Sequence, residues 1–215
     1  MCNICVFAGT TEGRELVEFL AGQPVQATVC VATEYGETLL PEAENVTVLA
    51  GRIPVEDIIR MLQETRFDLV IDATDNFAAK FLINDACVLA GKPYIHAGVV
   101  GFAGQVMTVI PGEGPCYRCI FRDMPAAGEV PSCKEAGVLG AVVGVIGSMQ
   151  AVEAVKLILG VGKPLTARLM TFDALAMTCR AVPLPEREPD CPVCGEHPTI
   201  TTLDPARYIQ PACGV

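Results

Sequence analysis

Basic residues are scarce in this chain: 15 Lys and Arg stand against 25 Asp and Glu, for a formal charge of −10 over 215 residues. Such a deficit excludes nucleic acid or an anionic membrane surface as the main partner and favours small molecules or another protein. The N-terminus lacks the pattern of a secretory leader, and no internal repeat or low-complexity tract occurs. Histidine is rare, with two copies. His96 closes a Pro-Tyr-Ile-His run and reads as a packed residue, and His197 falls in the tail. Charge is missing altogether from 136–152, a run of 17 residues that comes near the lower limit for a membrane span. Its glycines, Ser148 and Gln150, and its continuation into Glu153 and Lys156, predict instead a helix buried against protein.

Cysteine, by contrast, is abundant at 11 residues. Four fall into two Cys-x-x-Cys hooks, Cys116/Cys119 and Cys191/Cys194. Zinc prefers four soft ligands in a tetrahedron, and each hook supplies two sulfurs on one edge of it, so two hooks close the shell and exclude a catalytic water. Redox dithiols, or disulfides in an exported protein, are the other readings, and the missing leader and odd cysteine count oppose them. A structural zinc ion held by these four residues would tie the C-terminal tail to the middle of the chain. Reduced thiols imply the cytoplasm. Cys2, Cys5, Cys30, Cys87 and Cys179 read as core positions, where cysteine behaves as a small hydrophobe.

Strand and helix patterns alternate from the start. Apolar runs at 5–8, 25–32, 46–50 and 67–71 are separated by helical spacings at 14–20 and 55–62. This predicts an α/β fold with a Rossmann-like, mainly parallel sheet flanked by helices. A helix over 78–90, strands over 93–97 and 105–110, a long helix over 138–159 and a strand over 167–172 continue it. An irregular, Pro-rich tail from Pro183 carries the second hook. Residues 123–131 read as a mobile loop, and the last fifteen or so residues as loosely held. The organisation is then a nucleotide-binding half over 1–74, a zinc-bearing half over 75–200 that completes one α/β domain, and a tail over 201–215.

Between the first strand and helix lies Phe7-Ala-Gly-Thr-Thr-Glu-Gly-Arg14. Gly9 and Gly13 let the backbone approach a phosphate, and Thr10 or Thr11 caps a helix start whose N–H groups favour an anion. A tight turn with no ligand fits the same residues. The segment resembles the opening of the precorrin-6x reductases of cobalamin synthesis, and that resemblance implies NADPH as the nucleotide.

From about residue 70 the chain is similar to the ThiF/MoeB/HesA family, bacterial relatives of ubiquitin-activating enzymes. The matching motifs include Asp72-Ala-Thr-Asp-Asn-Phe77, Asn84-Asp85-Ala86-Cys87, Gly112-Glu-Gly-Pro-Cys-Tyr-Arg-Cys119, Gly147-Ser-Met-Gln150 and Cys191-Pro-Val-Cys-Gly195. The resemblance implies ATP- and magnesium-dependent adenylation of the C-terminal Gly-Gly carboxylate of a ubiquitin-like sulfur carrier, carried out by a homodimer. Asp75 then helps hold magnesium and the nucleotide phosphates with Asn76 beside it, although the two also read as a helix-capping pair. Cys133 falls in the loop that crosses the carrier tail in that family, where a thiolate attacks the adenylate or carries sulfur; a spectator or a spare metal ligand is the alternative. The family's GxGGxG loop, its acidic residue after the second strand and its phosphate-binding Arg and Lys have no recognisable counterpart, and Lys80 stands where the family has Arg. This predicts impaired adenylation, and leaves a non-catalytic carrier-binding module or an NADPH-binding oxidoreductase as alternatives.

Overall fold

The computed structural model describes residues 2–8, 11–126, 129–130 and 136–209. Gly9, Thr10 and Cys133 lie outside them, as does the side chain of Thr11.

Five strands build the parallel part of one sheet: β1 (Cys2–Ala8), β2 (Val25–Val31), β3 (Val46–Ala50), β4 (Leu69–Ala73) and β5 (Tyr94–Val100). Three more, β6 (Ala103–Val109), β7 (Arg168–Asp173) and β8 (Thr178–Pro183), extend it antiparallel, in the order β3-β2-β1-β4-β5-β6-β7-β8. The chain moves outward from β1 to β2 and β3, then returns to place β4 on the other side of β1. Adjacent connections therefore leave in opposite directions at β1 and β4, which opens a crevice at their C-terminal ends.

The strand sequences set the two faces by alternation. Ile4, Val6, Val29, Leu69 and Ile71 share one core with Val17 and Leu20 of α1 (Thr11–Leu20) and with Val142 and Ile146 of the long helix α6 (Gly140–Leu159). Cys5, Val70, Tyr94 and Met107 face the opposite core, with α3 (Val55–Glu64), α4 (Phe77–Ala90) and the short α5 (Tyr117–Ile120). Gly104 is required on β6, because a Cβ there would lie 2.4 Å from Ile146 Cγ1. Helix α4 starts where Asn76 Oδ1 accepts the Ala79 N–H at 2.8 Å, and ends at Gly91 in the left-handed region, φ 66°.

The sheet is continuous across residues 74 and 75, since β4 pairs with β1 on one side and β5 on the other. Three expectations change. Helix α6 is not buried all round: Val142, Ile146, Gln150 and Glu153 face the sheet, whereas Val152, Val155 and Leu159 are exposed. Its length and hydropathy also suit a membrane span. Cys179, expected in the core, is exposed on β8, a strand whose sequence carries no clear alternation. The tail is packed as far as Tyr208, at the end of a 3-10 helix over Pro205–Tyr208; Leu203 and Tyr208 are buried.

Candidate functional site

A cavity of about 660 Å³ opens at the crevice between β1 and β4, a size that suits a nucleotide or a comparable small molecule. Its floor is formed by Asp72, Lys80 and Gln150, and Arg14, Asp75 and Tyr35 stand toward its rim. Tyr35 belongs to α2 (Glu34–Thr38), a one-turn helix after β2 that Thr33 caps by accepting the Gly36 N–H. Gly13 lets α1 pack closely here: a Cβ would sit 3.1 Å from the Ala8 Cβ.

Asp72 organises the floor although its side chain is wholly buried. Oδ1 accepts from the Thr74 hydroxyl at 2.6 Å and the Thr74 N–H at 3.0 Å; Oδ2 accepts from Lys80 Nζ at 3.2 Å and His96 Nδ1 at 3.0 Å. Burial alone would raise this carboxyl, but the Lys80 charge and the bonds from His96 and Thr74 outweigh it and hold the group well below the usual carboxylate range. Burial pushes His96 down, toward the neutral imidazole. Its proton then sits on Nδ1 facing Asp72, and Nε2 accepts from the Gln105 amide at 3.3 Å. Gln150 links the end of β4 to the start of β5, donating to the carbonyls of Asp72 at 2.8 Å and Ile95 at 3.0 Å.

The two cations among the described lining residues differ in what they offer. Lys80 Nζ gives its three protons to Asp72, the Thr74 carbonyl at 2.8 Å and the Ala97 carbonyl at 2.6 Å. Its donors are all used. Arg14 Nε is buried with no hydrogen-bond acceptor and lies 3.6 Å from a Glu18 carboxylate oxygen. An incoming anion would therefore meet Arg14 rather than Lys80. Asp75 is exposed, and Asn76 Oδ1 is committed to capping α4.

The two cysteine hooks meet on the opposite face of the sheet. The four Sγ atoms lie within 4.8 Å of one another, with separations of 3.9 Å for Cys116–Cys119, 3.7 Å for Cys116–Cys191 and 3.5 Å for Cys119–Cys194. Four sulfurs at about 2.3 Å from a zinc ion in a tetrahedron would be roughly 3.8 Å apart, so the set fits the metal. The second knuckle turns so tightly that a Cβ on Gly195 would come within 2.5 Å of the Cys191 and Pro189 carbonyl oxygens. The first is fastened to α4: Arg118 forks onto Asp85 at 2.7 and 2.8 Å, and Asn84 Oδ1 accepts the Tyr117 N–H at 2.9 Å. Tyr208 also donates to Asp85, at 2.8 Å, which ties down the tail.

The ThiF family matches residues 24–193. The chain belongs to that family. The match begins well ahead of residue 70, where the motifs first suggest it, and so covers most of the parallel sheet. Among curated relatives of this ThiF-family chain, the sulfur carrier protein adenylyltransferase of Thermus thermophilus is 46% identical over 153 residues, which are 69% of this chain and 55% of that protein. The SAMP-activating enzyme E1 of Haloferax volcanii is 48% identical over 148 residues, 69% of this chain and 53% of it. For the adenylyltransferase and sulfurtransferase MOCS3 of Bos taurus the figures are 48% over 138 residues, 64% of this chain and 30% of that protein. The chain thus spans about half or less of the relatives it matches. In overall fold it is like E. coli MccB solved with ATP, with a TM-score of 0.66 at 17% identity, over 90% of this chain and 67% of that one.

The ThiF-family fold brings Asp75 to the cavity, sets Gly13 against the lining residues Ala8 and Ala73, and gathers all four hook cysteines. His96 is packed, as its sequence suggests, and Asp72 and Gln150 stand in the matching motifs, but their hydrogen bonds, and that of Gln105, are not foreseen there. A polar residue inside an otherwise apolar run, as at Gln150, was the available signal; nothing in the spacing of Asp72 and His96 announces that they touch.

Proposed function

We propose that this chain activates the C-terminal Gly-Gly carboxylate of a ubiquitin-like sulfur carrier by ATP-dependent adenylation. The observation that carries the reading is the cavity at the β1/β4 crevice, with Asp75 at its rim and a fixed Lys80-Asp72-His96 floor below it. The names of the relatives, a sulfur carrier protein adenylyltransferase and an adenylyltransferase and sulfurtransferase, support the same chemistry. A carboxylate is a poor electrophile. In the proposed step one of its oxygens attacks the α-phosphorus of ATP, the bond to the bridging oxygen breaks, and pyrophosphate leaves with the electron pair, so that an acyl-adenylate remains.

The protein's part is to bind and align. Arg14 meets the phosphates, and the buried floor keeps its dipoles fixed so that little reorganisation accompanies the charge separation. Asp75 would hold a magnesium ion, which offsets triphosphate charge when bound. Cys133, on its sequence position, is proposed to attack the adenylate as thiolate and expel AMP. The cysteine cluster would carry zinc as a brace in the reducing cytoplasm. The exposed apolar side of α6, with Val152, Val155 and Leu159, is proposed to pair two copies into a homodimer. Sedimentation would show a dimer that Val155→Glu dissociates, and a monomer at all concentrations would reject that pairing.

Pyrophosphate exchange into ATP that requires a Gly-Gly carrier protein is the deciding assay. Carrier binding without exchange would leave a non-catalytic module. Titrations with ATP and NADPH side by side complete the test, because saturable NADPH binding with no ATP binding would replace adenylation by an oxidoreductase.

A further inference from the structure

The metal hook and the cavity lie on different sides of Asp72, yet one side chain bridges them. Tyr117 sits between Cys116 and Cys119, and its buried ring packs against the imidazole of His96, with centroids 4.6 Å apart. His96 in turn donates to Asp72 at 3.0 Å. Phe81 meets the Tyr117 ring edge-on at 5.1 Å, and Phe81 follows Lys80 directly on α4. Further along the same helix, Asn84 accepts the Tyr117 N–H and Asp85 accepts the Arg118 fork. Both partners of Asp72 Oδ2 are therefore held from the hook, His96 through ring contact and Lys80 through the helix that carries it.

We propose that Tyr117 is a positioning residue through which the cysteine cluster sets the geometry of the cavity floor. The reason is steric. The His96 ring, carried on β5, packs against the Tyr117 ring, so the direction of its Nδ1–H toward Asp72 depends on where the hook places that ring. When the four sulfurs are drawn round a metal the hook has one conformation, and the ring has one position. Without a metal the hook keeps only its ties to α4 through Asn84 and Arg118, so the Tyr117 ring gains room to shift, and His96 loses the fixed wall that holds its hydrogen bond in line. The role in nucleotide binding rests on the adenylation reading; the coupling between hook and imidazole does not.

The experiment uses the zinc-loaded full chain with 15N-labelled histidine. His96 and His197 are the only two imidazoles, so the Nδ1–H bonded to Asp72 is readily assigned as a downfield, slowly exchanging signal. Tyr117→Leu, which removes the ring and keeps the four cysteines, should shift that signal and speed its exchange with zinc content unchanged. Tyr117→Phe, which keeps the ring, should preserve it. Chelation of zinc from the wild type should reproduce the Leu effect. In parallel, Tyr117→Leu should weaken ATP binding roughly tenfold, as expected when a supporting contact is misplaced, with carrier binding unaltered. Should wild type fail to bind ATP, the adenylation reading falls and the histidine signal alone decides the coupling. An unchanged His96 signal in Tyr117→Leu with zinc retained, whatever ATP does, overturns the proposal. If Tyr117→Leu does not fold, chelation of the wild type with Tyr117→Phe as control decides in the same way.

Discussion

Lys80 lies 3.2 Å from the carboxylate of Asp72, and neither charge has appreciable access to water. The pair is not an isolated ion bridge, since Thr74 and His96 fill the remaining acceptor sites of the carboxylate and two carbonyls fill the remaining donors of the ammonium. A buried charge so satisfied is tolerated, and becomes costly when one partner is removed.

Lys80→Met should therefore destabilise the fold by about 3–5 kcal/mol, the range for breaking a buried pair on one side. Adding Asp72→Asn should recover part of that loss, since the charge left behind is then removed as well. Chemical denaturation of both variants measures the difference; losses that simply add would mean the two groups do not interact.

Stability should fall in acid in two successive windows. His96 is held below its ordinary value, so the unfolded chain takes up the proton first, and stability starts to drop as pH falls below about 6.5. Asp72 is also held low; its contribution is complete above about 3.9 and is lost as pH falls further, through its depressed folded value. Comparison of the zinc-loaded wild type with His96→Gln isolates the first window, which should flatten in the variant.

Arg14 and Asp75, both toward the rim, should separate kinetically. Arg14→Ala removes the lining cation that, among the described residues, lacks a full set of acceptors and should raise the KM for ATP about tenfold or more with kcat less affected. Asp75→Asn should lower kcat by roughly a hundredfold, the loss typical of a missing electrostatic contact at the reacting centre. Pyrophosphate exchange across a range of ATP concentrations distinguishes the two.

Gly195→Ala should disturb the metal cluster, because the added methyl would meet backbone oxygens 2.5 Å away. Metal analysis of the wild type should give about one zinc per chain, and the variant should release zinc to a chromogenic chelator much faster. A wild-type protein that is stably folded and metal-free would remove the structural role given to the four cysteines.

The architecture was legible because it follows from local patterns. Alternation of apolar strands with helical spacings announces a doubly wound sheet, and Ala8 and Arg14, on either side of the first strand-to-helix junction, line its crevice. The four-cysteine cluster was legible for a different reason: a Cys-x-x-Cys pair places two sulfurs on one side of a single turn, so half of the tetrahedron is already encoded within four residues. Cys179 and the outer face of α6 were misjudged since hydrophobicity states a preference for burial without saying what covers the residue.

What the sequence determined by itself, then, is whatever depends on neighbours along the chain: strand and helix periods, the Asn76 cap, the two hooks and the acidic balance. The tertiary structure alone decided that Asp72, Lys80 and His96 share one buried knot, that Arg118 and Tyr208 converge on Asp85, and that Tyr117 leans from a cysteine hook onto His96, a partner of the cavity-floor Asp72. These contacts join residues up to 123 positions apart. Their energies come from burial and from the exclusion of water by the packed sheet, and no stretch of chain carries that environment before it folds.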